Sequence, residues 1–241
     1  NGSFADLAGG TYALASTSTY RGAGTDGRDV GVTWAAVASA ADVIGGSAID
    51  PGTSEPPPDP GTGGGTGGIV LPSGWLGEDI GVVGVPGVSS ESAGVFTVSG
   101  GGADVWGTND ALHFAYRELA GDGTIVARVS SLAGSDAWLK SGVMIRGSLS
   151  PSSAHAFMIV SKGNGLAFQR RTANGGVSTN TTGVSAAAPM WVKLTRSGNT
   201  ISAFSSANGT SWTPVGSDTF AMPSVVLVGL AVSSHTTSET A

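Results

Sequence analysis

The stretch Trp138-Leu139-Lys140-Ser141-Gly142-Val143-Met144-Ile145-Arg146 decides the fold. Leu139, Val143 and Ile145 share one parity. Trp138, Lys140, Met144 and Arg146 share the other. Period two places the two sets on opposite faces of a strand. One face predicts a core; the other carries an aromatic ring, a thioether and two cations. Leu166 to Thr172 repeats the pattern, with Leu166 and Phe168 pointing one way and Gln169 and Arg171 the other. Two readings of the polar face stand side by side. It is the solvated face of an antiparallel sheet, or a binding surface on which aromatic planes stack on sugar rings while Arg and Gln hydrogen-bond hydroxyls.

Working outward, further strand-like runs are Val95–Val98, Thr124–Ser130, His155–Ser161, Trp191–Arg196, Thr200–Ser205 and Val225–Val232. Gly-rich turns separate many of them, such as Gly121-Asp122-Gly123, Lys162-Gly163-Asn164-Gly165 and Asn208-Gly209. Short strands with turn signals at this spacing predict an all-β antiparallel sandwich or jelly roll. The 40 glycines point the same way, because Gly costs about 1 kcal/mol in a helix interior. Only Ala35-Ala36-Val37-Ala38 suggests a short helical turn.

Composition divides the chain in three. Residues 1–45 are Ala/Thr/Gly-rich. Residues 46–68 form a Pro/Gly-rich linker, stiff in its Pro part and flexible in its Gly/Thr part. Residues 69–241 hold every tryptophan except Trp34 and are expected to contain the main fold. The net charge of −6, without a Lys/Arg cluster, argues against nucleic acid or an anionic membrane as partner. No apolar run is long enough to span a bilayer. With 0 cysteines, thiol catalysis, disulfides and Cys-ligated zinc are excluded. The chain begins at Asn1 without a charged and apolar leader, so its start is read as lying inside a longer protein.

Residues 75–240 resemble a bacterial family of concanavalin A-like lectin/glucanase modules of unclear function. The resemblance is carried by Trp75…Asp79-Ile80-Gly81, Ala103-Asp104-Val105-Trp106-Gly107, Gly142-Val143-Met144-Ile145-Arg146, Ser153-Ala154-His155-Ala156, Phe168-Gln169-Arg170-Arg171, Pro189-Met190-Trp191-Val192-Lys193-Leu194 and Gly229-Leu230-Ala231-Val232-Ser233-Ser234-His235. It implies a jelly roll of two packed sheets, one concave, and a place in a secreted or surface-bound, carbohydrate-active protein. The family usually closes with one more strand after the His-containing loop; with the sequence stopping at Ala241, the module is expected to be truncated by that strand. Residues 3–38 resemble the exit coil of a pectate-lyase-type right-handed parallel β-helix, through Tyr12-Ala13-Leu14, Ser18-Thr19-Tyr20-Arg21-Gly22-Ala23-Gly24 and Asp26-Gly27-Arg28-Asp29-Val30-Gly31. A single coil cannot bury its own apolar side.

Signs of catalysis are sparse. The Glu-x-Asp-x-Glu strand of related glucanases is missing, and the neighbouring Glu78 and Asp79 would face opposite ways on a strand. No Gly-x-Ser-x-Gly elbow is present. His113, His155 and His235 lack metal-ligand spacing. Asp122 in its Gly-Asp-Gly turn reads as a hairpin rather than a calcium loop. No cofactor or metal is expected. Asp104 and Trp106 share a face if extended, so Asp104 could accept hydroxyls while Trp106 stacks; the alternative is a core Trp beside a turn-forming Asp. His155 and His235 read equally as hydrogen-bonded structural residues or as site residues.

The expectation is a non-catalytic carbohydrate-binding module, extracellular or on the cell surface, with a polysaccharide or glycan as partner. Its candidate contacts are Asp104, Trp106, Trp138, Lys140, Met144, Arg146, His155, Gln169, Arg171 and His235. The rivals are a structural or adhesive spacer without ligand, and a fragment of a glycoside hydrolase or polysaccharide lyase.

Overall fold

The computed structural model describes residues 4–6, 11–14 and 71–241. The chain divides into two compact units, Asn1–Gly65 and Thr66–Ala241. In the first, β1 (Phe4–Asp6) pairs antiparallel with β2 (Thr11–Leu14). The coils of a parallel β-helix pair in parallel with one another, and the rest of that expectation lies outside the described residues. So do the linker expected over 46–68 and the helical turn expected at Ala35–Ala38.

The second unit is all-β, with no helix among the described residues. Seven strands form one sheet in the order β13 (Thr179–Thr182), β12 (Leu166–Arg171), β11 (His155–Ser161), β10 (Lys140–Arg146), β17 (Val225–Ser233), β8 (Leu112–Ala120) and β3 (Leu76–Ile80). Four strands form the other, in the order β16 (Thr213–Thr219), β15 (Thr200–Ser206), β14 (Met190–Ser197) and β9 (Gly123–Val129). All neighbours run antiparallel. Two hairpins complete the unit: β4 (Val88–Ser92) with β5 (Val95–Ser99), and β6 (Val105–Trp106) with β7 (Asn109–Asp110).

Alternation in the sequence builds the core between the sheets. Val143 and Ile145 of β10, Met158 of β11 and Phe168 of β12 meet Val192 and Leu194 of β14 and Ile201 of β15, all fully buried. Each such side chain contributes about 2 kcal/mol by leaving water. The result is a two-layer β-sandwich. The strand expected over Trp138–Arg146 begins only at Lys140, because Asp136 accepts a hydrogen bond from the Trp138 N–H at 2.6 Å and holds Trp138 in a turn.

The opposite face of the large sheet departs from expectation. Here Phe114, Met144, Phe157 and Ile159 form a second core with Val105 and Ile80, and all six are at most 2% exposed. Met144, Arg146, His155, Gln169 and Arg171 share a face, as the parity requires, yet all five are buried. The face expected to look outward is a sealed layer. The strand alternation fixes which side a residue takes; it says nothing about what the segment joining β5 to β8 does, and that segment brings Val105 and Asp110 onto it.

Candidate functional site

At the Arg146 end of β10, register places Arg146, His155 and Arg171 side by side across β10, β11 and β12. Asp110, from the β6–β7 hairpin, inserts its carboxylate among them. Arg171 donates to both Asp110 oxygens, at 2.7 and 3.0 Å, and Arg146 Nη2 stands 3.3 Å away. The guanidinium of Arg171 also donates to the carbonyls of Trp106, Gly107, Pro151, Ser153 and Gly176, and that of Arg146 to those of Ser148 and Ser150. Two cations thus tie three loops to the sheet end around one anion. Burial pulls Arg146 down to about 10, opposed by the adjacent Asp110, so it stays charged at neutral pH. Burial likewise pushes His155 down to about 4, with Asp110 opposing and Arg146 and Arg171 reinforcing. The imidazole is therefore neutral. Its Nδ1 stands 3.4 Å from Asp110 without hydrogen-bond geometry, and neither ring nitrogen has a partner. Met144, Arg146, His155, Gln169 and Arg171 are thus internal residues rather than surface contacts. Asp110, the hub, went unnoticed in the sequence because it reads as an ordinary turn aspartate.

The Lys140 end of the same strand is different. Lys140 donates to Asp104 at 2.5 Å. His235 follows β17 with φ of 63°, a left-handed conformation uncommon outside glycine. That turn sets its ring between Asp104, 3.4 Å from Nε2, and Asp136, 3.1 Å from Nδ1. The Trp138 backbone N–H and His235 hold the Asp136 carboxyl below its ordinary range. Lys140 Nζ lies 5.5 Å from the centre of the Trp138 ring, which is 41% exposed. Asp104, Asp136, Trp138, Lys140 and His235 therefore form one cluster. Asp104, Asp136 and His235 are partly open to solvent; the Lys140 ammonium is buried beneath them. His235 fills the space between the carboxylates, where an inverting glycosidase would keep a water. Trp106 has an exposed ring but gives this cluster no hydrogen bond, contributing only its carbonyl to Arg171. Asp136 is the member that strand patterning missed, because it lies in a turn.

A third grouping joins β3, β4 and β8. Asp79 and His113 are cross-strand partners, with His113 Nδ1 2.7 Å from Asp79 Oδ1. His113 Nε2 is 2.8 Å from Ser89 Oγ. The Gly87 N–H donates to both Asp79 oxygens at 3.1 Å. Glycine at 87 and 100 is required, because a Cβ would stand 2.3 and 2.4 Å from His113 atoms. Sequence spacing does not link the three residues; they meet only through sheet register and the β4–β5 hairpin.

No family model matches the chain, and no curated protein matches it. Among solved structures, a functionally unknown protein from Saccharomyces cerevisiae is similar in fold. Its TM-score is 0.51 at 19% identity, covering 66% of this chain and 84% of that one. At that identity the likeness concerns the fold alone.

Proposed function

We propose that residues 69–241 are a carbohydrate-binding module with a concanavalin A-like jelly roll, whose Trp138 cluster binds without catalysing, belonging to a secreted bacterial protein that acts on or adheres to polysaccharide. One observation carries the reading. The exposed Trp138 indole lies beside Asp104, Asp136 and His235, which are already held in place by one another. A flat ring offers a stacking surface for a sugar, and partly solvated carboxylates accept its hydroxyls. Because the polar groups are pre-ordered, less side-chain freedom is lost on binding. Asp104, Trp138 and His235 remain as proposed contacts; Trp106 is a separate exposed ring.

The test is a glycan array with wild type and Trp138→Ala. Wild type should bind at least one polysaccharide class, and removing the ring should weaken Kd about tenfold, the equivalent of about 1.4 kcal/mol. Binding that survives the substitution unchanged would move the site elsewhere. No binding to any glycan would favour a ligand-free spacer. That second reading draws on the burial of Arg146, Gln169 and Arg171, which takes three of the expected contacts off the surface.

A further inference from the structure

The Asp79–His113–Ser89 chain lies apart from the Trp138 cluster. His113 takes the opposite parity of β8 from Phe114 and Tyr116, which belong to the second core. A carboxylate only accepts, so in the neutral imidazole Nδ1 donates to Asp79 and Nε2 is left with a lone pair toward the Ser89 hydroxyl. The Gly87 N–H fixes the carboxylate in turn. A hydroxyl is a weak nucleophile until an adjacent base takes its proton, and the base must itself be oriented by a third group. All three requirements are met here at hydrogen-bond distance.

A surface cleft of about 330 Å³ opens onto this chain. Ser89 and His113 line it, with Leu71, Trp75, Leu76 and Val88 as apolar walls. Trp75 is braced by Phe96, ring centres 4.7 Å apart. Gly77 forms part of the cleft, and a methyl group there would sit 3.4 Å from His113 Nε2 and 3.5 Å from Ser89 Oγ. Its absence leaves room beside the two reacting atoms. Among the described strands β3 lies at the edge of its sheet, so alternate backbone N–H groups along Leu76–Ile80 point away from β8. Such donors are what a developing oxyanion requires.

We propose that Ser89 is the nucleophile of a serine esterase site, with His113 as general base and Asp79 as its positioning carboxylate, acting on esters of short apolar acyl groups. Ser89 Oγ attacks the ester carbonyl carbon while its proton passes to His113 Nε2. The C–O bond to the alcohol breaks, and the alcohol leaves with that proton. Water then attacks the acyl-Ser89, giving a proton to His113, and the acid departs as Ser89 recovers its hydrogen. The cleft is at the small end of ligand pockets, which favours an acetyl- or butyryl-sized group over a long chain.

The test uses the full chain and a fluorophosphonate probe. Wild type should gain one adduct, mapped by peptide mass spectrometry to Ser89. S89A should gain none there, and its turnover of p-nitrophenyl acetate should fall at least about 100-fold. Gly77→Val, which crowds the cleft beside Ser89 Oγ and His113 Nε2, should slow labelling. Labelling of wild type needs no variant, so a fold lost in S89A would not blur the outcome. An unlabelled Ser89 in the folded protein, or wild-type turnover in S89A, would overturn the proposal and leave His113 as a structural tie between strands.

Discussion

The two ends of β10 hold similar groups in opposite states. At Arg146 a carboxylate from a loop enters among two guanidinium groups and an imidazole, and water is shut out. At Lys140 a carboxylate from the same loop region meets an ammonium and an imidazole, with nearly a third of the carboxylate still exposed. Each end brings carboxylate, cation and imidazole together, with cations in excess at one and carboxylates at the other; cover differs as well. Where a charge is sealed, its partner is indispensable, because an uncompensated buried ion costs far more than an exposed one. Where the carboxylate keeps water, as Asp104 does, it tolerates the loss of its cation and is free to engage something else. Residue type therefore does not separate a structural cluster from a binding one. Coverage by neighbouring loops does.

The sharpest way to break this comparison is Asp110→Asn. It leaves two guanidinium groups and no anion in a dry site, and should destabilise the protein by about 3–5 kcal/mol in urea unfolding. A loss under about 1 kcal/mol would mean that water reaches the cluster. A slightly smaller effect is expected from pH. The imidazole of His155 is held neutral to about 4 in the folded protein, whereas in the unfolded chain it takes a proton near 6.5. Between those values the unfolded state binds the extra proton, so stability is intact above pH 6.5 and falls as pH drops to 4, by about 3 kcal/mol in all. His155→Gln should flatten that part of the profile relative to wild type. The mildest effect belongs to the open end. Lys140→Met keeps the buried stem and leaves Asp104 to solvent and His235, so its cost should stay near 1 kcal/mol. A cost matching that of Asp110→Asn would erase the distinction between the ends.

Much of the sandwich was legible because period two is printed in the strands that face both cores. His155–Ser161 matched its strand to the residue, and Val225–Val232 and Thr200–Ser205 fell one residue short. The strand Leu112–Ala120 was passed over, although Leu112, Phe114 and Tyr116 alternate with His113, Ala115 and Arg117. Its Glu118-Leu119-Ala120 end dilutes the signal, and pairing with β17 and β3 supplies what local preference lacks. The site was legible only by halves. Parity put Lys140, Met144, Arg146, Gln169 and Arg171 on one side, but burial is a property of distant chain. Asp110, Asp136 and Ser89 owe their roles to loops and hairpins whose course no short-range pattern encodes.

The position of Val225–Ser233 has a consequence for how the domain is made. This strand lies between β10 and β8, so β3 and β8 have no bonded link to β10 through β13 until it arrives. Synthesis delivers it after every other strand of either sheet. The large sheet is thus zipped shut late, by long-range pairing of the kind that folds slowly and leaves unpaired edges waiting meanwhile. A nascent chain cut before Val225 should stay protease-sensitive, and one extended through Ser234 should acquire resistance in a single step.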